Sequence, residues 1–257
     1  MSPGRRRWLT VAAVIAVAAA VANLDDLVRA LLPPSVATEP MPGLEGYRRL
    51  ADGPGGVSAA GGPLVGIGLP GETPPPRTPE AELRADLCGA LFGGPPPEGV
   101  VPIASFSDYY CPYCRVLARR LSALETGGGV DVTWHEWPLF GETSEAAAKA
   151  ALAARRQGAY LAFHDAIIGG GFVPTPAFLA ELSGRLRLDS ERLARDMESA
   201  AVARDIADAR GLAGLFGFVG TPALVVGRTA LTGAVDEATL AALVEAERAA
   251  GPPPGCD

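Results

Sequence analysis

Cys111 and Cys114 stand three positions apart in DYYCPYCRVLARRL, residues 108–121, at the head of a stretch with helical spacing. A Cys-x-x-Cys pair can begin a disulfide staple, a metal clip or a redox centre, and its surroundings discriminate between them. VVPIASF, 100–106, is an apolar run of strand length that delivers the chain to Cys111, and Val116, Leu117, Leu121 and Leu124 then recur at helical spacing. The spacing therefore predicts that Cys111 sits at a helix start. There the unpaired N–H groups and the positive end of the dipole stabilise a thiolate and lower its pKa. Pro112 falls in the first turn, where a missing N–H costs nothing. Cys114 lies one turn on, near enough to close a small ring with Cys111. Thiol exchange needs an exposed nucleophile and a nearby resolving thiol, and the motif supplies two candidates.

The other chemistries fit less well. Structural zinc takes four ligands. Cys88 and Cys256 are isolated, and His135 and His164 have no ligand spacing, so no metal site is expected. Two thiolates suffice for Cu(I), so a copper-binding thiol protein without turnover stays an alternative. A purely structural disulfide across one helical turn would close a tiny loop and stabilise little. Redox exchange needs no cofactor beyond the two sulfurs. Tyr113, inside the motif, and Pro112 are the expected client-facing residues. His164 reads as a helix-packing residue and His135 as a strand surface residue. Asp108 reads as solvated, Glu136 as structural, and Arg115, Arg119 and Arg120 as a solvated helix face, with Arg115 near enough in sequence to add thiolate stabilisation.

Composition narrows the class. The 257 residues carry a net charge of −7, which argues against nucleic-acid binding. MSPGRRRWLTVAAVIAVAAAVANL, residues 1–24, has a basic start and an uncharged, mostly apolar run, the pattern of an export signal or N-terminal membrane anchor. Export places the chain in a periplasmic or other extracytoplasmic compartment, where disulfides persist. There Cys88 and Cys256, the two remaining cysteines, are expected to form a structural disulfide. Two free thiols or an intermolecular link are the alternatives.

The positioning elements follow from pattern. Residues 25–97 read as a Pro/Gly-rich extension without sustained period, broken by a short helix near 79–92. Residues 98–250 read as one domain: strand 100–106, helix 111–125, strand 130–137, four helices between about 142 and 211, strands at 221–227 and 229–235, and a final helix over 236–249. The fourth of those inserted helices is expected to run unbroken over 189–211. A tail, 251–257, closes the chain. This order predicts an α/β fold, a small mixed sheet interrupted by a helical insertion.

FSDYYCPYC, WHEWPLFGETSEAAAKAALAA, YLAFHDAII and GTPALVVG together resemble the DsbA family of the thioredoxin superfamily, over about residues 98–250. The resemblance implies a thioredoxin-like fold with an inserted helical subdomain. It also implies a cis-proline facing the cysteines, at Thr221-Pro222, which with Pro112 and Tyr113 would meet the substrate. Implied partners are reduced or unfolded client polypeptides and a quinone-linked membrane redox partner. Tyr113 stands where DsbA has histidine, and Ser105 stands where an acidic residue is usual. These departures leave open whether the protein oxidises clients or works as a reductase or isomerase.

Overall fold

The computed structural model describes residues 36–51, 75–170 and 175–256. The basic-apolar segment 1–24, the stretch at 25–32 and most of the Pro/Gly run lie outside these residues. No helix among the described residues is long and apolar enough to cross a membrane.

The centre of the fold is β3 (Val101–Ser107), every residue of which is buried. A strand covered on both faces must be apolar or small throughout, and VPIASFS is. The chain turns into α3 (Pro112–Gly127) and returns as β4 (Val130–Glu136), parallel to β3 with Val101 opposite Val130 and Ser107 opposite Glu136. β5 (Ala223–Val226) lies antiparallel on the other side of β3, β6 (Thr229–Thr232) antiparallel to β5, and α9 (Glu237–Ala250) follows. This mixed sheet with helices is a thioredoxin-like fold.

Between β4 and β5 the chain builds α4 (Glu142–Arg155), α5 (Tyr160–Gly169), α6 (Pro176–Arg185), α7 (Ser190–Met197) and α8 (Ala200–Leu215). Small side chains let α4 and α8 approach: Ala148 and Leu152 pack on Val202 and Ile206. The continuous helix expected over 189–211 is broken. Ser199 accepts a hydrogen bond from Val202 N at 3.3 Å and caps a new helix, whereas the apolar spacing on either side runs on unchanged.

Residues 36–51 correct the expectation of a loosely packed extension. β1 (Thr38–Pro40) and β2 (Arg48–Leu50) pair antiparallel, and β2 runs parallel to β6, giving the sheet order β1-β2-β6-β5-β3-β4. Strands of three residues are too short to show alternation. What holds them is the buried loop between them, with Met41, Leu44 and Tyr47 in the core, and a polar knot at Glu247 on α9. Glu247 is 2% exposed. Its Oε1 accepts from Arg48 Nη2 and from the Thr229 hydroxyl, both at 2.5 Å; its Oε2 accepts from the Arg228 backbone N at 3.0 Å. Arg228 Nη2 also donates to the carbonyls of Ala250, Gly251 and Pro252, closing the end of α9. Gly227 has φ +54° and passes so near that a Cβ there would lie 2.6 Å from Glu247 Oε2.

The helix expected near 79–92 is two short ones, α1 (Glu80–Ala85) and α2 (Leu87–Phe92), divided at Asp86, whose carboxylate accepts from Gly89 N at 2.8 Å. α1 packs under α8 so closely that a Cβ on Gly211 would meet Leu83 Cδ1 and Thr78 O at 2.6 Å. A disulfide joins Cys88 on α2 to Cys256 in the tail, with Cα atoms 5.3 Å apart and a sequence separation of 168.

Candidate active site

Strand β3 ends at Ser107, and four residues later Cys111 caps α3 in an extended conformation, with Pro112 in the first turn. Cys111 N donates to Asp108 O at 3.1 Å, which fixes the turn into the helix. Cys111 and Cys114 are free thiols. Both residues are buried, each 2% exposed, so the nucleophile expected at the surface lies beneath it. Pro112 and Tyr113 are exposed, Tyr113 at 64%.

The Thr221–Pro222 peptide is cis and faces the pair: Cys111 Sγ donates to Thr221 O at 3.3 Å. Pro222 is buried at the head of β5, and its carbonyl accepts from Gly233 N at 2.7 Å.

The two thiols differ sharply in acidity. A hydrogen bond from Cys114 is the largest influence on Cys111; burial opposes it, and the Cys114 and Tyr113 backbone N–H groups and Thr221 add to it, so that its pKa falls to about 6. Burial acts first on Cys114, and the bond to Cys111 and its charge act with it, pushing that thiol far above the ordinary range. The pair can therefore hold one thiolate beside one thiol.

Asp108 is not solvated. It is 1% exposed, and its carboxylate accepts from Tyr110 N at 2.8 Å, from Leu139 N at 2.6 Å and from the Ser144 hydroxyl. It ties the approach to the motif to the start of α4. Arg115 is likewise not a free surface cation. Its guanidinium donates to Gly170 O and, at 3.4 Å, to Tyr109 O, while Arg120 donates to Val235 O at 2.6 Å. His135 is also not a surface residue: it stacks on Phe106 at 4.7 Å, contacts Leu91 O at 2.9 Å, and has its pKa lowered by burial to about 4. Glu136 and His164 meet in a buried cluster with Tyr109 and Tyr160. Tyr109 went unnoticed in the sequence. Its signal was a second aromatic hydroxyl next to the motif, just past the end of a wholly buried strand. Among the described residues no group of three or more His, Cys, Asp or Glu gathers as a metal site.

A helix-capping Cys-x-x-Cys against a cis-proline on a thioredoxin-like sheet defines a thiol–disulfide oxidoreductase. Residues 102–245 match the DSBA-like thioredoxin domain, and the chain belongs to that family. A thioredoxin-like oxidoreductase from Silicibacter pomeroyi DSS-3 is 38% identical over 63% of this chain and 97% of its own, with a TM-score of 0.58. The oxidoreductase DsbA from Xylella fastidiosa is 28% identical over 60% of this chain and 89% of its own, with a TM-score of 0.51. A Na(+)/H(+) antiporter, NhaA 3 of Salinispora tropica, is 32% identical over 136 residues, 51% of this chain. The match spans only 21% of that antiporter.

Proposed function

We propose that the protein is an exported catalyst that oxidises paired cysteines of client polypeptides. A client thiolate attacks Cys111 Sγ of the Cys111–Cys114 disulfide; the sulfur–sulfur bond breaks, and Cys114 leaves with the electron pair and takes a proton. A second client thiolate then attacks the client sulfur of the mixed disulfide and expels Cys111 as a thiolate. The client gains a disulfide, and the enzyme keeps two electrons until a quinone-linked membrane partner removes them.

The observation that carries the direction is the acidity of Cys111. A pKa of about 6 favours the reduced enzyme, because its thiolate is stabilised and the disulfide is not. Tyr113 brings no cation, in keeping with a thiol less acidic than the about 3.5 of DsbA. The exposed apolar side chains of Tyr113, Val116 and Val219, in the segments carrying the motif and the cis-proline, support unfolded clients. Export is supported by the basic-apolar pattern of residues 1–24 and by the Cys88–Cys256 bond.

Equilibration with glutathione buffers tests the proposal. The expected potential lies between about −270 mV, the value of thioredoxin, and about −120 mV, that of DsbA. A value at or below thioredoxin's would make the protein a reductant and overturn the oxidising role.

A further inference from the structure

Four polar side chains sit together in the core beside the motif, bonded to one another and not to either cysteine. Tyr109 is 2% exposed, Glu136 2% and His164 0%, and Tyr160 joins them. The Tyr109 hydroxyl donates to Glu136 Oε1 at 2.7 Å and lies 2.9 Å from His164 Nδ1. The Tyr160 hydroxyl donates to the same carboxylate oxygen at 2.6 Å and lies 3.4 Å from Nδ1. Both hydroxyl protons point at the carboxylate. With both hydroxyl protons on the carboxylate, the tautomer that satisfies His164 Nδ1 is the one that carries its hydrogen there. Glu136 Oε2 and His164 Nε2 remain buried without partners.

Such a cluster is a costly way to fill a core. Desolvating a carboxylate costs several kcal/mol, and apolar side chains of similar volume commonly do as well. What a directional network adds is a unique position for its members. Here the position fixed is that of Tyr109, two residues before Cys111. Its hydroxyl is held by Glu136 on β4 and His164 on α5, and its carbonyl by Arg115 on α3. Arg155 of α4 backs the cluster, lying 4.4 Å from the Tyr160 ring centre and donating to Trp134 O at 2.6 Å.

We propose that Tyr109, Glu136 and His164 are positioning residues for the Cys111 thiolate, through which the helical insertion sets the reactivity of the motif. This rests on the reading of Cys111 as the nucleophile. That thiolate depends on hydrogen bonds from Cys114 and the first turn of α3, and a tilt of the approach from Tyr109 to Cys111 lengthens them.

The test is the pH dependence of iodoacetamide labelling of the reduced full-length protein, with the labelled cysteine mapped by mass spectrometry. Tyr109→Phe removes one oxygen, and His164→Leu removes the donor. His164→Asn keeps an N–H near the Nδ1 position. Tyr109→Phe and His164→Leu are expected to raise the pH midpoint at Cys111 by about one pH unit, slowing labelling about tenfold below both midpoints. His164→Asn should restore most of that loss, which a packing role would not. Unshifted midpoints in folded Tyr109→Phe and His164→Leu, over a native protein labelled at Cys111, overturn the positioning role alone. Labelling of the native protein at Cys114 overturns the nucleophile assignment, and this inference with it, whatever the variants do.

Discussion

Cys111 and Cys114 carry the same thiol, and their partners drive the two acidities apart. The separation has a sign that stability measurements can read. An unfolded cysteine titrates at about 8.5, and folded Cys111 at about 6. A depressed pKa stabilises the folded state above the unfolded value, and that stabilisation is lost as pH falls through the folded value. The melting temperature of the reduced protein should therefore rise, relative to the oxidised protein, between about pH 6 and pH 8.5. Melting curves with and without reductant at the two ends of this window check it. A constant gap would mean that Cys111 does not ionise there, and Cys111→Ser should abolish the dependence. The helix start at Cys111 was legible in the strand-length run before it and the apolar spacing after it. The burial of Asp108 and Arg115 was not, because their partners lie on α4 and at the end of α5, and no local pattern reports a contact 36 or 55 residues away.

Elements whose hold is local could be read; elements held from a distance could not. β3 showed as an apolar run of strand length, and α3 and β4 showed their periods plainly. β1 and β2 did not, since their position depends on Glu247, about two hundred residues along the chain from Arg48. Glu247→Ala should leave the Arg48 guanidinium, the Thr229 hydroxyl and the Arg228 N–H groups without their acceptor. The expected loss is about 3 kcal/mol, measured by urea unfolding, with the larger cost falling on the hairpin. Proteolysis should then cut first between residues 37 and 51. Unchanged stability would show that the knot is incidental. Arg48→Ala should cost less, because Arg48 is 32% exposed and solvent can take over part of its role.

At the scale of the whole molecule the Cys88–Cys256 bond joins the short helices before the central strand to the tail behind the last helix. The loop it closes is long, and the chain-entropy account gives a stabilisation on the order of 5 kcal/mol, less any native strain. Replacing both cysteines with serine should lower stability by a few kcal/mol while leaving the labelling midpoint of Cys111 unmoved. Structural disulfides of exported proteins have lower potentials than catalytic ones, so peptide mapping after mild reduction should find Cys88 and Cys256 still joined when Cys111 and Cys114 are open. Labelling of all four together would contradict this separation of roles.

The same bond gives the protein a peculiar ancestry. Under the proposed function, a newly exported copy is itself a client: it arrives with Cys88 and Cys256 reduced and needs the reaction that finished copies perform. Maturation is then autocatalytic. Reduced chains supplied with a slow chemical oxidant should mature after a lag, and a trace of finished protein should shorten it. A Cys111→Ser population should show no such acceleration unless seeded with the native protein.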